Sequence, residues 1–168
     1  MVKDTQLRMA SATDLAELRS WFSALSDLRS WGGPEMGWAR DEIDWLHKLQ
    51  WPDAQSFAML NSQRLLGFGQ LRFSLGEKGG GYCHLARLVV HPEARGRGFG
   101  MRLVTGLMAL GEALWQPDYY SLFVFENNQT ALSLYSKLGF QQVGHYVDRR
   151  SVLRLEKRVG TAIQRIGS

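Results

Sequence analysis

The stretch that most restricts this chain is Tyr82–Val90, nine residues dense in apolar and β-branched side chains. It runs straight into His91-Pro92-Glu93-Ala94-Arg95-Gly96-Arg97-Gly98-Phe99-Gly100. Behind the last glycine a helical repeat starts at once, with Leu103, Leu107, Leu110 and Leu114 at intervals of four, three and four. A strand that feeds a helix through glycines commits the chain to a layered α/β arrangement, the helix packing back across the sheet. It also sets the chemistry of the first helical turn, whose backbone N–H groups lack helical partners and carry a partial positive charge. Glycines let that backbone approach an anion, and Arg87, Arg95, Arg97 and Arg102 surround the turn with full charges. The device suits a pyrophosphate, although a plain tight turn with surface arginines reads the same over these residues alone. The segment is not a P-loop, because no Lys-Ser or Lys-Thr pair follows the glycines. It also departs from the dinucleotide fingerprint, with GxGxG in place of GxGxxG and Pro92 after the strand.

The other elements fit the same class. Gln6–Ala10 reads as an opening strand. Ser11, Thr13 and Asp14 offer caps to a helix carrying Leu15, Leu18, Trp21, Phe22 and Leu25, which Ser30-Trp31-Gly32-Gly33-Pro34-Glu35 breaks. A second helix runs from Arg40 to about Leu49. Ser56–Leu60 and Leu65–Leu75 are strands joined by Asn61-Ser62-Gln63, and Gly76–Gly81 is the turn before Tyr82. After Pro117-Asp118 come the strand Tyr119–Phe125, a helix with Ala131, Leu134, Tyr135 and Leu138 ended by Gly139, and closing strands Gln142–Tyr146 and Val152–Leu155. No repeat or linker divides the 168 residues, so residues 1–168 read as one domain.

Composition narrows the class. Cys83 is the only cysteine, which excludes an intrachain disulfide and a CxxC site. His47, His91 and His145 show no ligand spacing, so no metal is expected. No apolar run approaches roughly 18 residues, and the opening segment lacks a signal peptide's apolar stretch, so no membrane is expected and the cytoplasm is the expected address. Twenty Lys and Arg against 16 Asp and Glu give a net charge of +4. With no run of five like charges, a nucleic-acid partner is not expected. The arginines after Asp148 (Arg149, Arg150, Arg154, Arg158 and Arg165) alternate with apolar residues as on a solvated strand edge. Ile163 and Ile166 are a candidate homodimer contact.

Two motifs together resemble the GNAT superfamily of acyl-CoA-dependent N-acetyltransferases. Arg95-Gly96-Arg97-Gly98-Phe99-Gly100 is similar to that family's Q/R-x-x-G-x-G/A pyrophosphate motif, and it follows a strand ending in Val-x-Pro. Some thirty residues on, Asn128-Gln129-Thr130-Ala131-Leu132-Ser133-Leu134-Tyr135-Ser136-Lys137-Leu138-Gly139-Phe140 matches N-x-x-A-x-x-L-Y-x-K-x-G-F. The resemblance implies a mixed central sheet of about seven strands, splayed between the fourth and fifth, with about four helices. Acetyl-CoA would be the cosubstrate and a small-molecule or peptide amine the acceptor. The backbone of Leu88, Val89 and Val90 would bond the pantetheine arm. The amides of Arg95, Gly96, Arg97, Gly98, Phe99, Gly100 and Met101 would wrap the pyrophosphate, and Asn128 and Tyr135 would flank the thioester end. Tyr135 would be the general acid for the departing thiolate.

N-acylation also needs a base, since an alkylamine of pKa about 10.4 is protonated at pH 7. Where relatives carry a glutamate on the strand before the pyrophosphate motif this chain has His84, and where others carry one on the next strand it has Phe123. His84 is therefore the candidate general base, acting through water, and a hydrogen-bonded strand histidine is the plainer alternative. Strand parity groups His84 with Tyr82, Ala86, Leu88 and Val90 and places Cys83 opposite as a small buried hydrophobe. Glu126, just past the strand Tyr119–Phe125, reads as a carboxylate favouring the helix dipole. On the acceptor side, five of the six tryptophans (Trp21, Trp31, Trp38, Trp45 and Trp51) fall near Glu35, Asp41, Glu42 and Asp44. Trp31, Glu35 and Trp38 are candidate contacts for a cationic amine. Trp21 and Trp45 also sit at core spacing, and the acids also suit a helix start.

Overall fold

The computed structural model describes residues 4–77 and 79–160. Ile163, Ile166 and Arg165 lie outside the described residues, as does Lys78 of the glycine turn. In chain order the elements are β1 (Thr5–Met9), α1 (Ala12–Arg19), α2 (Leu25–Gly32), α3 (Glu42–Lys48), β2 (Gln55–Asn61), β3 (Arg64–Leu75) and β4 (Gly81–Val90). A 3-10 turn at Pro92–Ala94 leads to α4 (Phe99–Trp115), β5 (Tyr119–Phe125), α5 (Gln129–Lys137), β6 (Gln141–Tyr146) and β7 (Arg149–Arg158). The seven strands form one sheet in the order β1-β2-β3-β4-β5-β7-β6. Every neighbouring pair is antiparallel except β4 with β5. That parallel pair is joined over only three positions, Tyr82↔Tyr119, Cys83↔Tyr120 and His84↔Ser121, and then parts. The mixed sheet splayed between its fourth and fifth strands is the architecture expected from the sequence.

Helices cover the sheet unequally. On one side α4 and α5 press Leu103, Leu107 and Tyr135 onto Phe57, Leu71, Cys83, Leu85 and Leu122. On the other, α1–α3 press Leu15, Leu18, Leu28 and Trp45 onto Ala58, Leu65 and Phe68, with Val89 packed alongside. The N-terminal half of the sheet is thus covered on both sides. The open side of β5, β6 and β7 leaves Phe123 and Tyr146 each 42% exposed. No helix among the described residues is long and apolar enough to cross a membrane.

Several boundaries differ from the sequence reading. Five α-helices form where about four are expected, because the first predicted helix divides. A reciprocal Ser11–Asp14 capping box starts α1. It stops at Ser20, whose hydroxyl donates to the Glu17 carbonyl at 2.6 Å while the Trp21 N–H turns to Leu18 at 3.1 Å. Hydroxyls that take up helix carbonyls in this way compete with helix continuation. Then α2 carries on through Ser30 and Trp31 and ends at Gly33 with φ +103°. The buried stripe of α4 is Phe99, Leu103, Val104, Leu107 and Gly111, leaving Leu114 54% exposed. Leu114 keeps the angular position of the stripe but stands in the last turn of the helix, next to its end at Trp115. The arginines of β7 lie on an interior strand, between β5 and β6, and solvate an uncovered face rather than an edge.

Leu107 is fully buried against the sheet, so Leu107→Ala should lower unfolding free energy in urea by about 2–5 kcal/mol. Leu114→Ala, on the same helix but at an exposed position, should change it by less than about 0.5 kcal/mol.

Candidate active site

Strand β4 pairs with β3 through a bulge. Gln70 faces Ala86, yet two residues back Phe68 faces Val89, so β4 carries one extra residue between them. The surplus falls at Arg87, whose φ of +50° lies in the left-handed region that a side chain resists. Several contacts hold it there. The Trp31 indole N–H donates to the Arg87 carbonyl at 2.8 Å. The guanidinium donates to Gln70 Oε1 at 2.7 Å and to the Lys48 carbonyl at 3.2 Å. Opposite the bulge stands Gly69, where a Cβ would come within 2.6 Å of Leu107 and 2.9 Å of Leu88. Burial pushes the Arg87 guanidinium down to about 10, assisted by the neighbouring charge of Arg72, and its buried Nε has no hydrogen-bond partner.

The bulge corrects the strand parity. Before it, Cys83 and Leu85 face α4 and α5; after it, Leu88 and Val90 do, while Val89 joins the α1–α3 side. One inserted residue exchanges the faces. His84 therefore does not share a face with Leu88 and Val90, and Arg87 leaves the glycine turn for the α1–α3 side. Cys83 is fully buried opposite His84, its thiol pushed up to about 12 by burial, which makes it a core residue rather than a nucleophile.

Beyond His84 and Ser121 the backbone of Leu88, Val89 and Val90 has no strand partner on the β5 side. The glycine turn stands at the end of this opening. Gly96 and Gly98 have φ of +71° and +81° with nothing within 4 Å of a Cβ, so it is backbone conformation, not space, that calls for glycine there. Gly98 caps α4 without a side chain, and no acid occupies the first turn. The amides of Phe99, Gly100 and Met101 are thus left without a side-chain cap. The arginines of the turn are all exposed. Arg95 donates its Nε–H to the Val90 carbonyl at 3.2 Å, Arg97 lies 5.5 Å over the Phe99 ring, and Arg102 lines a cavity of about 360 Å³ beside β1 with Met101.

Asn128 is the N-cap of α5, accepting from the Ala131 N–H at 3.2 Å. Tyr135 is 8% exposed, packs edge-on against Phe140, and burial pushes its phenol up to about 12. Glu126 is exposed, in the short turn between β5 and α5.

On the open side of the splay, register lays out a transverse row of Arg72, His84, Ser121 and Glu156. His84 Nδ1 lies 2.8 Å from Ser121 Oγ, and its ring is 5.0 Å from Phe123, which in turn meets Tyr146 at 5.0 Å. Burial, with help from the charges of Arg72 and Arg154, pushes the His84 imidazole down to about 4. Much of the aromatic wall belongs to the core. Trp45 is 1% exposed, and Trp31 packs against Phe22, Trp45 and Phe68 while its N–H holds the bulge. Asp41 caps α3, and Asp44 accepts from the Arg40 backbone. Glu35 and Trp38 remain exposed on the loop between α2 and α3. Among the described residues no three His, Cys, Asp or Glu side chains are placed to hold a metal ion.

The sequence reading missed Arg72, Arg87 and Ser121 as parts of this arrangement. A charged residue inside the apolar run of β4, with Gly69 of β3 opposite it, is the local sign of the bulge. Nothing in the spacing of Arg72 or Ser121 announces them, since both arrive through pairing across strands.

Residues 21–140 match the acetyltransferase (GNAT) family. A mycothiol acetyltransferase of Mycolicibacterium smegmatis is 34% identical over 117 residues, covering 67% of this chain but only 38% of that protein. Spermidine N-acetyltransferase from Vibrio cholerae, solved in complex with CoA and spermine, aligns with a TM-score of 0.74 at 21% identity, over 92% of this chain and 95% of that one. Arabidopsis thaliana NAA60, solved in complex with a bisubstrate analogue, aligns with a TM-score of 0.69 at 17% identity, over 94% and 99%. At these identities the structural likenesses speak for the fold.

An imidazole held near pKa 4 stays neutral across the physiological range. NMR should show the His84 ring resonances, assigned by their loss in His84→Gln, flat from pH 8 to 5.5 and moving only toward pH 4. Because the folded pKa lies below the unfolded one, the unfolded chain binds more protons in that window. His84 therefore costs no stability above about pH 6.5, and stability falls as pH drops from there toward 4. Urea unfolding of His84→Gln should show a shallower loss over the same interval.

Proposed function

The chain belongs to the acetyltransferase (GNAT) family, and from that premise we propose that it transfers an acetyl group from acetyl-CoA to a primary amine by direct attack in a ternary complex. The observation that carries this reading is the meeting of an uncapped α4 N-terminus with a parallel strand pair that parts after three positions. The first offers backbone donors and a positive helix end to a diphosphate. The second offers unpaired strand backbone at Leu88, Val89 and Val90 to an extended, amide-bearing arm. Acetyl-CoA, when bound, supplies an activated thioester carbonyl and a thiolate leaving group. Burying no counter-acid near the turn, the residues Arg95 to Met101 fit such an anion by their chemistry.

The protein's own groups take the remaining roles. A backbone N–H near Val89 or Val90 is the donor for a developing oxyanion. The Tyr135 phenol, protonated at every working pH because burial holds it near 12, is the proton donor on the α5 side. Asn128, its Oδ1 engaged in capping, has its amide NH₂ available as a further donor. The acceptor attacks as its free amine, and His84, neutral and hydrogen-bonded to Ser121, accepts through water the proton that the attacking nitrogen sheds as the C–N bond forms. The depressed basicity of His84 places the acid limb it controls near pH 4, so between pH 5.5 and 8 the rate should rise only with the free-amine fraction of the acceptor. Glu35 and Trp38 form the outer contacts for the ammonium, and Trp31 acts through the bulge it holds.

Thiol release from acetyl-CoA against a panel of primary amines tests the reading. Turnover dependent on amine is expected; saturable binding without release would make the protein an acyl-CoA-binding module instead. In Tyr135→Phe, kcat should fall by roughly 10²-fold or more while the acetyl-CoA KM moves little. By contrast, Gly98→Val should act mainly by raising the acetyl-CoA KM, since the α4 N-terminus would lose its left-handed cap. Calorimetry showing no saturation with millimolar acetyl-CoA would overturn the proposal.

A further inference from the structure

The row beside His84 has a charge pattern that the amine-transfer chemistry alone does not require. Directly across the β3–β4 ladder from His84 stands Arg72, exposed to solvent. Its guanidinium is held by the side-chain amide oxygen of Gln50 and, among the described residues, pairs with no carboxylate. Behind it lies the Arg87 guanidinium, engaged by Gln70 and the Lys48 carbonyl. On the far side of His84, Arg154 is already satisfied by Glu156 at 2.7 Å. Three guanidinium groups thus stand around this row, with Glu156 on Arg154 and Asp53 in the wall beyond Arg72, and among the described residues Arg72 has no carboxylate within ion-pair distance. Arg72 and Gln50 also line an open cavity of about 780 Å³ with Trp51, Asp53, Phe73 and Trp115, which leaves the guanidinium reachable from solvent although His84 is not in its wall. The net field at His84 is positive, which agrees with the direction in which its imidazole is displaced.

Resting on the acetyltransferase reading above, we propose that the acceptor is a small amine carrying its own carboxylate or comparable oxyanion, which Arg72 grips while the amine lies at His84. A guanidinium matches such a group with two parallel donors, and Gln50 already holds its fork in place. The same positive floor turns away acceptors whose remaining charges are all cationic. Phe123 and Tyr146, exposed beside His84, offer the apolar contact for the rest of the molecule. Arg72 is a specificity-determining residue, distinct from the groups that handle protons.

The test compares matched amines with the intact protein and saturating acetyl-CoA, reading kcat and KM by thiol release. The pairs are phenylalanine with phenethylamine, and 4-aminobutyrate with propylamine; aminoethylphosphonate separates carboxylate from other oxyanions, and spermidine is the polycation. The carboxylated member of at least one pair should exceed its partner about tenfold or more in kcat/KM. Arg72→Gln should erase that advantage through KM and leave the uncharged-tail amines within about threefold, and Arg72→Lys should restore part of it. Equal or better use of the uncarboxylated member in both pairs, or spermidine used as well as the better oxyanion-bearing amine, overturns the inference, as does an Arg72→Gln effect that is the same on both members of the preferred pair, or transfer to none of the oxyanion-bearing amines. Release with the other amines, measured alongside, keeps the two readings apart: if no amine gives thiol release, the transferase reading fails as well; if propylamine, phenethylamine or spermidine gives it, only the acceptor class is wrong.

Discussion

Between Ala86 and Val89 strand β4 carries one residue more than β3 offers it, and the α1–α3 layer is what keeps that surplus in place. Trp31 reaches from α2 to the Arg87 carbonyl, and Gln70 reaches from β3 to the guanidinium. A left-handed arginine costs of order 1–3 kcal/mol and persists only where its surroundings over-determine it. Here they do, and the consequence spreads in both directions along the strand. Ahead of the bulge His84 is aimed at the open floor of β5 and β7; behind it Leu88 and Val90 are aimed at α4. The glycines of β3 opposite the bulge matter for the same reason, because a side chain at Gly69 would occupy the place of Leu107 and Leu88.

Burial then decides which groups carry charge. Tyr135 and His84, the side chains to which the proposal assigns proton transfer, are both neutral at pH 7, the phenol pushed up and the imidazole pushed down. Desolvation disfavours the charged form of either type, so a phenol and an imidazole move in opposite directions for one cause. Formal positive charge sits at the margins, on Arg72 and Arg154 at one end and on exposed Arg95 and Arg97 beside the aligned backbone of the Gly98 helix end at the other. The site is therefore positive at both ends and neutral in the middle.

Local signals in the chain were sufficient for most elements and for the glycine turn that opens α4. Periodicity located β4, α4 and β5 to within a residue or two, and the glycine spacing marked the α4 N-terminus. Where two local rules competed, the reading drifted: the run from Leu15 to Leu25 has helical spacing throughout, yet the Ser20 hydroxyl ends α1 and a second helix begins. The tryptophans show the same limit. Their clustering is plain in the sequence, but whether Trp31 faces a ligand or a backbone carbonyl depends on what lies 56 residues away.

What the sequence by itself determined is everything fixed by neighbours along the chain: the α/β class, the strand–glycine–helix turn with its uncapped amides, the tyrosine of α5 and the isolation of Cys83. What only the tertiary structure decided is everything fixed by neighbours across it. The bulge that reverses the faces of β4, the row of Arg72, His84, Ser121 and Glu156, and the interior place of β7 all depend on register between paired strands, in the β3–β4 hairpin as well as across β4, β5 and β7. The physical reason is that hydrogen-bonded pairing fixes a side chain's face and its charged neighbours only when the partner strand is present, and a single inserted residue is enough to exchange them.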